Sequence, residues 1–265
     1  FMTNTAISTI IVLATLLAFS GLSLKTPGPH ERTRCMAAFA AATVATMYWI
    51  ASRDWGLGLS TALLASILAT QLAFALALIR TRDVLPLGSL LGPYLLIVAG
   101  MVIWADTVPG DGAILTDIGG WLGAHMGAAI LSYGFITLGA IASGAIILRE
   151  RALKQRTRSL LTDRLPSIST TEKAEIFGLT VAEIVLGLAI LFGIGAEYAA
   201  SGTFFQVTHK SVLTLITFVV IGVLLWLHLQ KGIRGRLVAR VGLTVYLLIS
   251  LGYPGVKFVG DVLLF

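Results

Sequence analysis

The chain has 265 residues, of which 57% are hydrophobic and only 12% are charged, and its mean hydropathy is +0.92. Soluble domains are about half apolar and about a quarter charged, so the composition excludes a soluble globular protein and indicates a polytopic membrane protein. The formal net charge of +6 does not require a nucleic-acid partner, because the distribution of the basic residues explains it better. Cys35 is the single cysteine, which excludes a disulfide within the chain and covalent c-type haem attachment through CxxCH.

The apolar runs predict an all-α fold with eight transmembrane helices in one integral membrane domain, 1–265. About 20 apolar residues suffice to cross a bilayer. In chain order the predicted spans are about 6–24, 35–51, 57–79, 84–104, 121–148, 176–199, 209–229 and 237–260. Gly252 and Pro254 interrupt the last run, and we expect the helix to kink there.

The loops predict the orientation. Sixteen of the nineteen Lys and Arg residues fall in 25–34, 80–83, 149–175 and 230–240, which are the first, third, fifth and seventh connections. By the positive-inside rule these connections are cytoplasmic. Both termini are then outside, and we expect a multi-pass protein of the bacterial inner (cytoplasmic) membrane.

The connection 149–175 is the longest. Its basic first part predicts a helix that continues beyond the membrane, and Ser169 with Glu172 fits a capping box for the sixth helix. The basic residues favour either an anionic-lipid contact or a solvated topology signal.

Two of the four histidines are predicted at equal depth on the outer side. His125 is near the start of the fifth span and His209 starts the seventh. His228 lies nineteen residues after His209, roughly 28 Å along a helix, and His30 falls in the first inner loop beside two prolines. Neutral imidazoles from two helices are suitable axial ligands for haem iron, so His125 and His209 form the candidate metal site.

Other residues near this depth are candidates for contacts with the cofactor. Lys210 is placed to pair with a haem propionate, and Trp121 to line the macrocycle or to act as an interfacial anchor. Lys257 is four residues from Asp261, so it pairs either with that carboxylate or with a propionate. Within the membrane, Glu183 is a functional candidate, whereas we expect Gln71 and Glu197 to be satisfied locally.

The C-terminal half resembles the cytochrome c assembly protein family, which includes CcsA, CcmC and HemX-like proteins, and is most similar to its YpjD-type eight-span members. The matching segments are His125 followed by AILSY at 129–133, RLPS at 164–167, THKS at 208–211, GIRGR at 232–236, and Tyr253 followed by KFV at 257–259.

The resemblance implies non-covalent haem b held by His125 and His209, with haem handling or delivery to apocytochrome c at the outer face. Better-studied members carry a tryptophan-rich WWD segment in an outer loop, but the loop 105–120 contains no tryptophan here. This difference disfavours haem-lyase activity, so an enzymatic role stays open. The alternative is an accessory or structural subunit of a larger respiratory membrane complex.

Overall fold

The computed structural model describes residues 2–25, 28–53, 58–107, 119–156, 159–202 and 208–255, and it describes the backbone alone at 2–5, 29, 209, 210, 253 and 254. These residues form eight α-helices and no strand, which confirms the all-α prediction. The helices are α1 (Met2–Ser23), α2 (Pro29–Ala51), α3 (Leu59–Arg80), α4 (Gly88–Ala105), α5 (Gly120–Gln155), α6 (Ile168–Ser201), α7 (His209–Lys231) and α8 (Arg236–Ser250).

Seven of these helices, α1 to α7, are long and apolar enough to cross a membrane, α4 together with the 3₁₀ turn Arg82–Leu87 that precedes it. The protein is therefore a multi-pass membrane protein. The remaining helix, α8, has 15 residues and passes into a π-helical turn, Leu251–Gly255. This turn contains Gly252 and Pro254, where the sequence predicted an irregularity. A membrane crossing by the last segment stays a prediction, since 256–265 lie outside the described residues.

Two helix starts differ from the predictions. Helix α2 begins at Pro29 rather than near 35, because proline is well suited to the first helical position, where no N–H partner is needed. His30 consequently lies in the first turn of a helix and not in a loop. The cap of α6 is Ser167, whose hydroxyl accepts the Thr170 N–H at 3.1 Å. The predicted capping box on Ser169 is wrong, because that residue is already helical.

Helix α5 is the centre of the packing. It runs against α3, α6 and α8, whereas α1 packs on α2 and α4. Gly134 allows the closest approach: a Cβ there would lie 2.4 Å from the carbonyl carbon of Ala69 on α3. Glycine at such a crossing lets two backbones touch, which is how membrane helices gain packing energy without a hydrophobic driving force between them.

The basic connections meet at one end of the bundle. Helix α5 continues to Gln155, as predicted, and the Arg149 guanidinium donates to the carbonyl oxygens of Leu165 and Pro166. At the same end, a Cβ on Gly235 would lie 3.3 Å from the Glu150 carboxylate, which joins the seventh connection to the fifth. The opposite end holds Arg53 and Asp106, paired through two hydrogen bonds of 2.8 and 2.7 Å.

Candidate functional site

His125 lies in the second turn of α5 and faces α6. Its Nδ1 is 2.7 Å from the carbonyl oxygen of Ala189, and the ring is half-buried. A backbone carbonyl only accepts hydrogen bonds, so Nδ1 carries the proton and, in the neutral ring, Nε2 carries the lone pair. Metal-binding histidines are commonly held in this way, with the second ring nitrogen bonded to a carbonyl or carboxylate that fixes the tautomer and the ring orientation.

Two glycines of α6 make room for the side chains of α5. A Cβ on Gly193 would lie 2.9 Å from Nδ1 of His125, and a Cβ on Gly195 would lie 2.8 Å from the Trp121 ring. Trp121 also lies 6.2 Å from Phe192, measured between ring centroids, yet 55% of it remains exposed. Trp121 thus packs beside the His125 site, and its open face suits either a flat ligand or the interfacial role considered above.

The register of α6 against α7 fixes the level at which α7 begins. A Cβ on Gly187 would touch Phe218, and a Cβ on Gly222 would touch Glu183, so the two helices run antiparallel. His209 lies nine residues before Phe218 on α7. Because the helices are antiparallel, the residue of α6 at the same level lies nine residues after Gly187, at 196. The first residue of α7 is therefore level with the end of α6 that contacts Trp121 and lies within about two turns of the level of His125.

The side chains of the remaining predicted site residues lie outside what the structure describes. Only the backbone is described for His209 and Lys210, and Lys257 falls in the undescribed segment. Their contacts with each other and with a cofactor stay predictions. The capping box of Thr208 with Ser211 begins α7 directly before His209, so the helix start itself is well defined by hydrogen bonds.

The other two histidines are placed differently from His125. His228 lies near the far end of α7, where its Nδ1 is 2.8 Å from the carbonyl oxygen of Ile233 just beyond the helix end. This contact gives His228 a local capping role. The continuous helix from His209 to Lys231 confirms that His209 and His228 lie at opposite ends. His30 is exposed in the first turn of α2.

One buried polar pair was missed by the sequence reading. Glu175 is fully buried and accepts a hydrogen bond of 2.5 Å from the Ser143 hydroxyl on α5. The predicted span began at 176, which placed Glu175 in the connection 149–175. The available signal was Gly242 on α8, since a Cβ there would lie 3.1 Å from the Glu175 carboxylate. Because glycine has no side chain, this position leaves space for the Glu175 carboxylate.

A cluster of tyrosines was also missed. The Tyr246 hydroxyl donates to that of Tyr94 at 3.2 Å, and the Tyr133 hydroxyl is 3.2 Å from the Ser250 hydroxyl. The tyrosines come from α4, α5 and α8, so their contact depends on three helices that are distant in sequence.

The prediction of local hydrogen bonding for polar residues within the membrane was confirmed for Glu197 and wrong for Gln71. Glu197 accepts a hydrogen bond of 3.1 Å from Ser201, as expected for local satisfaction. The same expectation for Gln71 is wrong, because both its side-chain oxygen and nitrogen are buried without a partner in the described chain. One carboxylate oxygen of Glu183 is likewise buried and unpaired among the described residues. Space for this acid against α7 is provided by Gly222.

Comparison with known proteins identifies the family of the chain. The family model described as cytochrome C assembly protein matches residues 31–264. An uncharacterised 28.8 kDa protein of Azospirillum brasilense is 40% identical over 79% of this chain and 78% of its own length. The cytochrome c biogenesis protein CcsA of Prochlorococcus marinus is 26% identical over 53% and 52% of the two chains.

The inner membrane protein YpjD of Escherichia coli is also similar, with 26% identity over 51% of this chain and 50% of its own length. The alignments with CcsA and YpjD therefore cover about half of each relative. The family match is much longer, because it includes all of α3 to α8 and nearly all of α2. The chain belongs to the cytochrome c assembly protein family.

Proposed function

We propose that this protein binds haem non-covalently and acts in the assembly of c-type cytochromes, as a haem-handling or haem-delivery protein of the bacterial cytoplasmic membrane. Family membership supports a role in cytochrome c biogenesis. The observation that carries the haem proposal is the 2.7 Å contact between Nδ1 of His125 and the Ala189 carbonyl oxygen. This contact leaves Nε2 as the basic nitrogen, which is what an iron ligand needs.

The residues around His125 fit a haem group. Trp121 offers an exposed aromatic face one turn before His125, and small residues, Ala128 and Ala129 among them, follow it along the helix. In this proposal His125 and His209 would hold the haem iron, and Lys210 and Lys257 would pair with its propionates. Bound haem would supply an iron centre with two imidazole ligands; the protein orients the His125 ring and determines how closely α5 and α6 approach.

The proposed site lies at the outer end of the bundle. The basic segments share the opposite end, which by the positive-inside rule is cytoplasmic. This orientation, with eight crossings and both termini outside, gives haem access to the compartment in which c-type cytochromes mature. Apocytochrome c or another assembly or respiratory subunit is the expected protein partner.

The test is a reduced-minus-oxidised absorption spectrum of the purified full chain. We expect a b-type signal that is lost in His125→Ala and in His209→Ala. His228→Ala is the matched control, since it also removes an imidazole whose Nδ1 contacts a carbonyl, but at the other end of α7. Wild-type protein without haem, or equal loss in all three variants, would contradict the proposal.

An accessory role in a larger respiratory complex is the alternative. It is favoured by the lack of tryptophan in the loop 105–120. Stoichiometric co-purification with oxidase or reductase subunits, together with absence of haem from the wild-type chain, would support this alternative over haem handling.

A further inference from the structure

A cavity of about 290 Å³ lies at the basic end of the bundle, far from His125. It is bordered by the end of α1, the start of α2, the 3₁₀ turn before α4 and the start of α6. Its charged lining residues are Lys25, Glu31, Arg32, Arg82, Asp83 and Arg164. Four basic and two acidic side chains leave an excess of two positive charges, so the cavity favours an anionic ligand.

Arg164 is the best-placed cation for such a ligand. Its Nη1 is buried and has no hydrogen-bond partner among the residues described. A buried guanidinium N–H without an acceptor costs free energy, and an anion in the cavity would remove that cost. The backbone beside it is fastened by Arg149, which donates to the Leu165 and Pro166 carbonyls, and Leu165 is 3% exposed. The backbone next to Arg164 is therefore held in place without a ligand.

The start of α6 adds to the positive potential. Ser167, the cap of α6, and Thr170 in its first turn both line the cavity. The amino end of a helix carries partial positive charge and unpaired N–H groups, which attract phosphate groups. This contribution is independent of the four basic side chains and acts on the same volume.

The acidic residues limit the charge of the ligand. Glu31 accepts a hydrogen bond of 3.1 Å from Arg34 through Oε1, whereas its Oε2 is buried without a partner among the described residues, and Asp83 is exposed at the rim. Two carboxylates repel a multiply charged anion more than a singly charged one. Leu22, Leu85 and Pro86 give the cavity apolar walls beside the charged groups. This combination suits a phosphodiester attached to an apolar body.

We propose that the cavity binds the phosphodiester head group of an anionic phospholipid in the inner leaflet. The position agrees with this ligand, because the cavity lies where α1 ends and where α2 and α6 begin, and hence at the level of lipid head groups. The site lies at the opposite end from His125 and does not depend on the haem proposal.

The experiment compares lipid retention by variants of the full chain in nanodiscs. Phosphatidylcholine nanodiscs are prepared with and without phosphatidylglycerol, and bound lipid is counted by native mass spectrometry after transfer to detergent. We expect wild type to retain phosphatidylglycerol and Arg164→Gln to retain it about tenfold less, which corresponds to the loss of one charge-assisted hydrogen bond. Arg151→Gln is the matched control: it removes the same charge from an exposed position of α5 outside the cavity.

Arg32→Gln is a second variant, which separates loss of lipid binding from a folding defect. Arg32 lines the cavity but is exposed, so its replacement should not disturb the fold. We expect it to weaken retention in the same direction while thermal unfolding without the lipid stays unchanged. Equal retention by wild type, Arg164→Gln and Arg32→Gln would overturn the proposal. Displacement of the lipid by inorganic phosphate at similar concentration would also overturn it, since the ligand would then be a free phosphate and not a lipid.

Discussion

The Gly193→Ala substitution tests whether the orientation of His125 matters for haem binding. The new Cβ would lie 2.9 Å from Nδ1 and 3.0 Å from Cε1 of His125. Ordinary van der Waals contact begins at 3.4 Å, so the ring must move by about 0.5 Å. A shift of that size away from α6 lengthens the 2.7 Å contact with the Ala189 carbonyl to roughly 3.2 Å, the upper limit for such a bond.

The expected result is weaker haem binding with an intact fold. Loss of the group that orients a metal-binding histidine typically lowers metal affinity by about 10- to 100-fold, or roughly 1.4 to 2.7 kcal/mol. The assay is a haem titration of the purified apo-protein followed at the Soret band, together with the midpoint potential of the bound iron. Thermal unfolding of the apo-protein reports whether the helices remain packed.

Gly127→Ala is the control for this substitution. Gly127 lies two residues after His125 on the same helix, and a Cβ there meets nothing within 4 Å. This variant should bind haem as wild type does and gain a little helix stability. Wild-type haem affinity and potential in Gly193→Ala would refute the argument that the Ala189 contact prepares His125 as a ligand.

Two further substitutions test the packing around α5. Gly134→Ala places a Cβ 2.4 Å from the backbone of Ala69, which cannot move aside. We therefore expect the free energy of unfolding, measured in detergent, to fall by about 1–3 kcal/mol. Gly144→Ala is the control, because a Cβ there meets open space and should leave the stability unchanged. Ser143→Ala removes the hydrogen bond to the fully buried Glu175, and we expect a similar loss of about 1–3 kcal/mol, measured in the same way; an unchanged unfolding midpoint would show that Glu175 finds another partner.

The sequence was sufficient for the class of protein and for most of the helices. The length of an apolar run depends only on consecutive residues, so the spans could be located without knowing which helices pack against each other. The predicted starts of two helices were wrong. Helix α2 begins at Pro29, before the apolar run, and Ser167 caps α6 although Ser169 with Glu172 matches the capping-box pattern better. Proline at the first helical position decided the start of α2, and the hydrogen bond from the Thr170 N–H to the Ser167 hydroxyl marks the start of α6.

The candidate site was only partly predictable. His125 was singled out by its predicted depth on the outer side, but its partner, the Ala189 carbonyl, is a backbone group with no sequence signal. Glu175 was placed in the connection 149–175 because the apolar run begins at 176. Its burial depends on Gly242 of α8, sixty-seven residues later in the chain.

The sequence by itself determined that the chain forms a helical membrane protein with its basic residues in alternate connections, because hydropathy and charge are properties of each segment alone. The tertiary structure decided which carbonyl holds His125 and where the cavity with Arg164 forms. Those features depend on the register and crossing of helices that are distant in sequence. Packing of that kind depends on contacts such as Gly134 with Ala69 and Gly193 with His125. The reason for a glycine at such a position becomes clear only when the neighbouring helix is known.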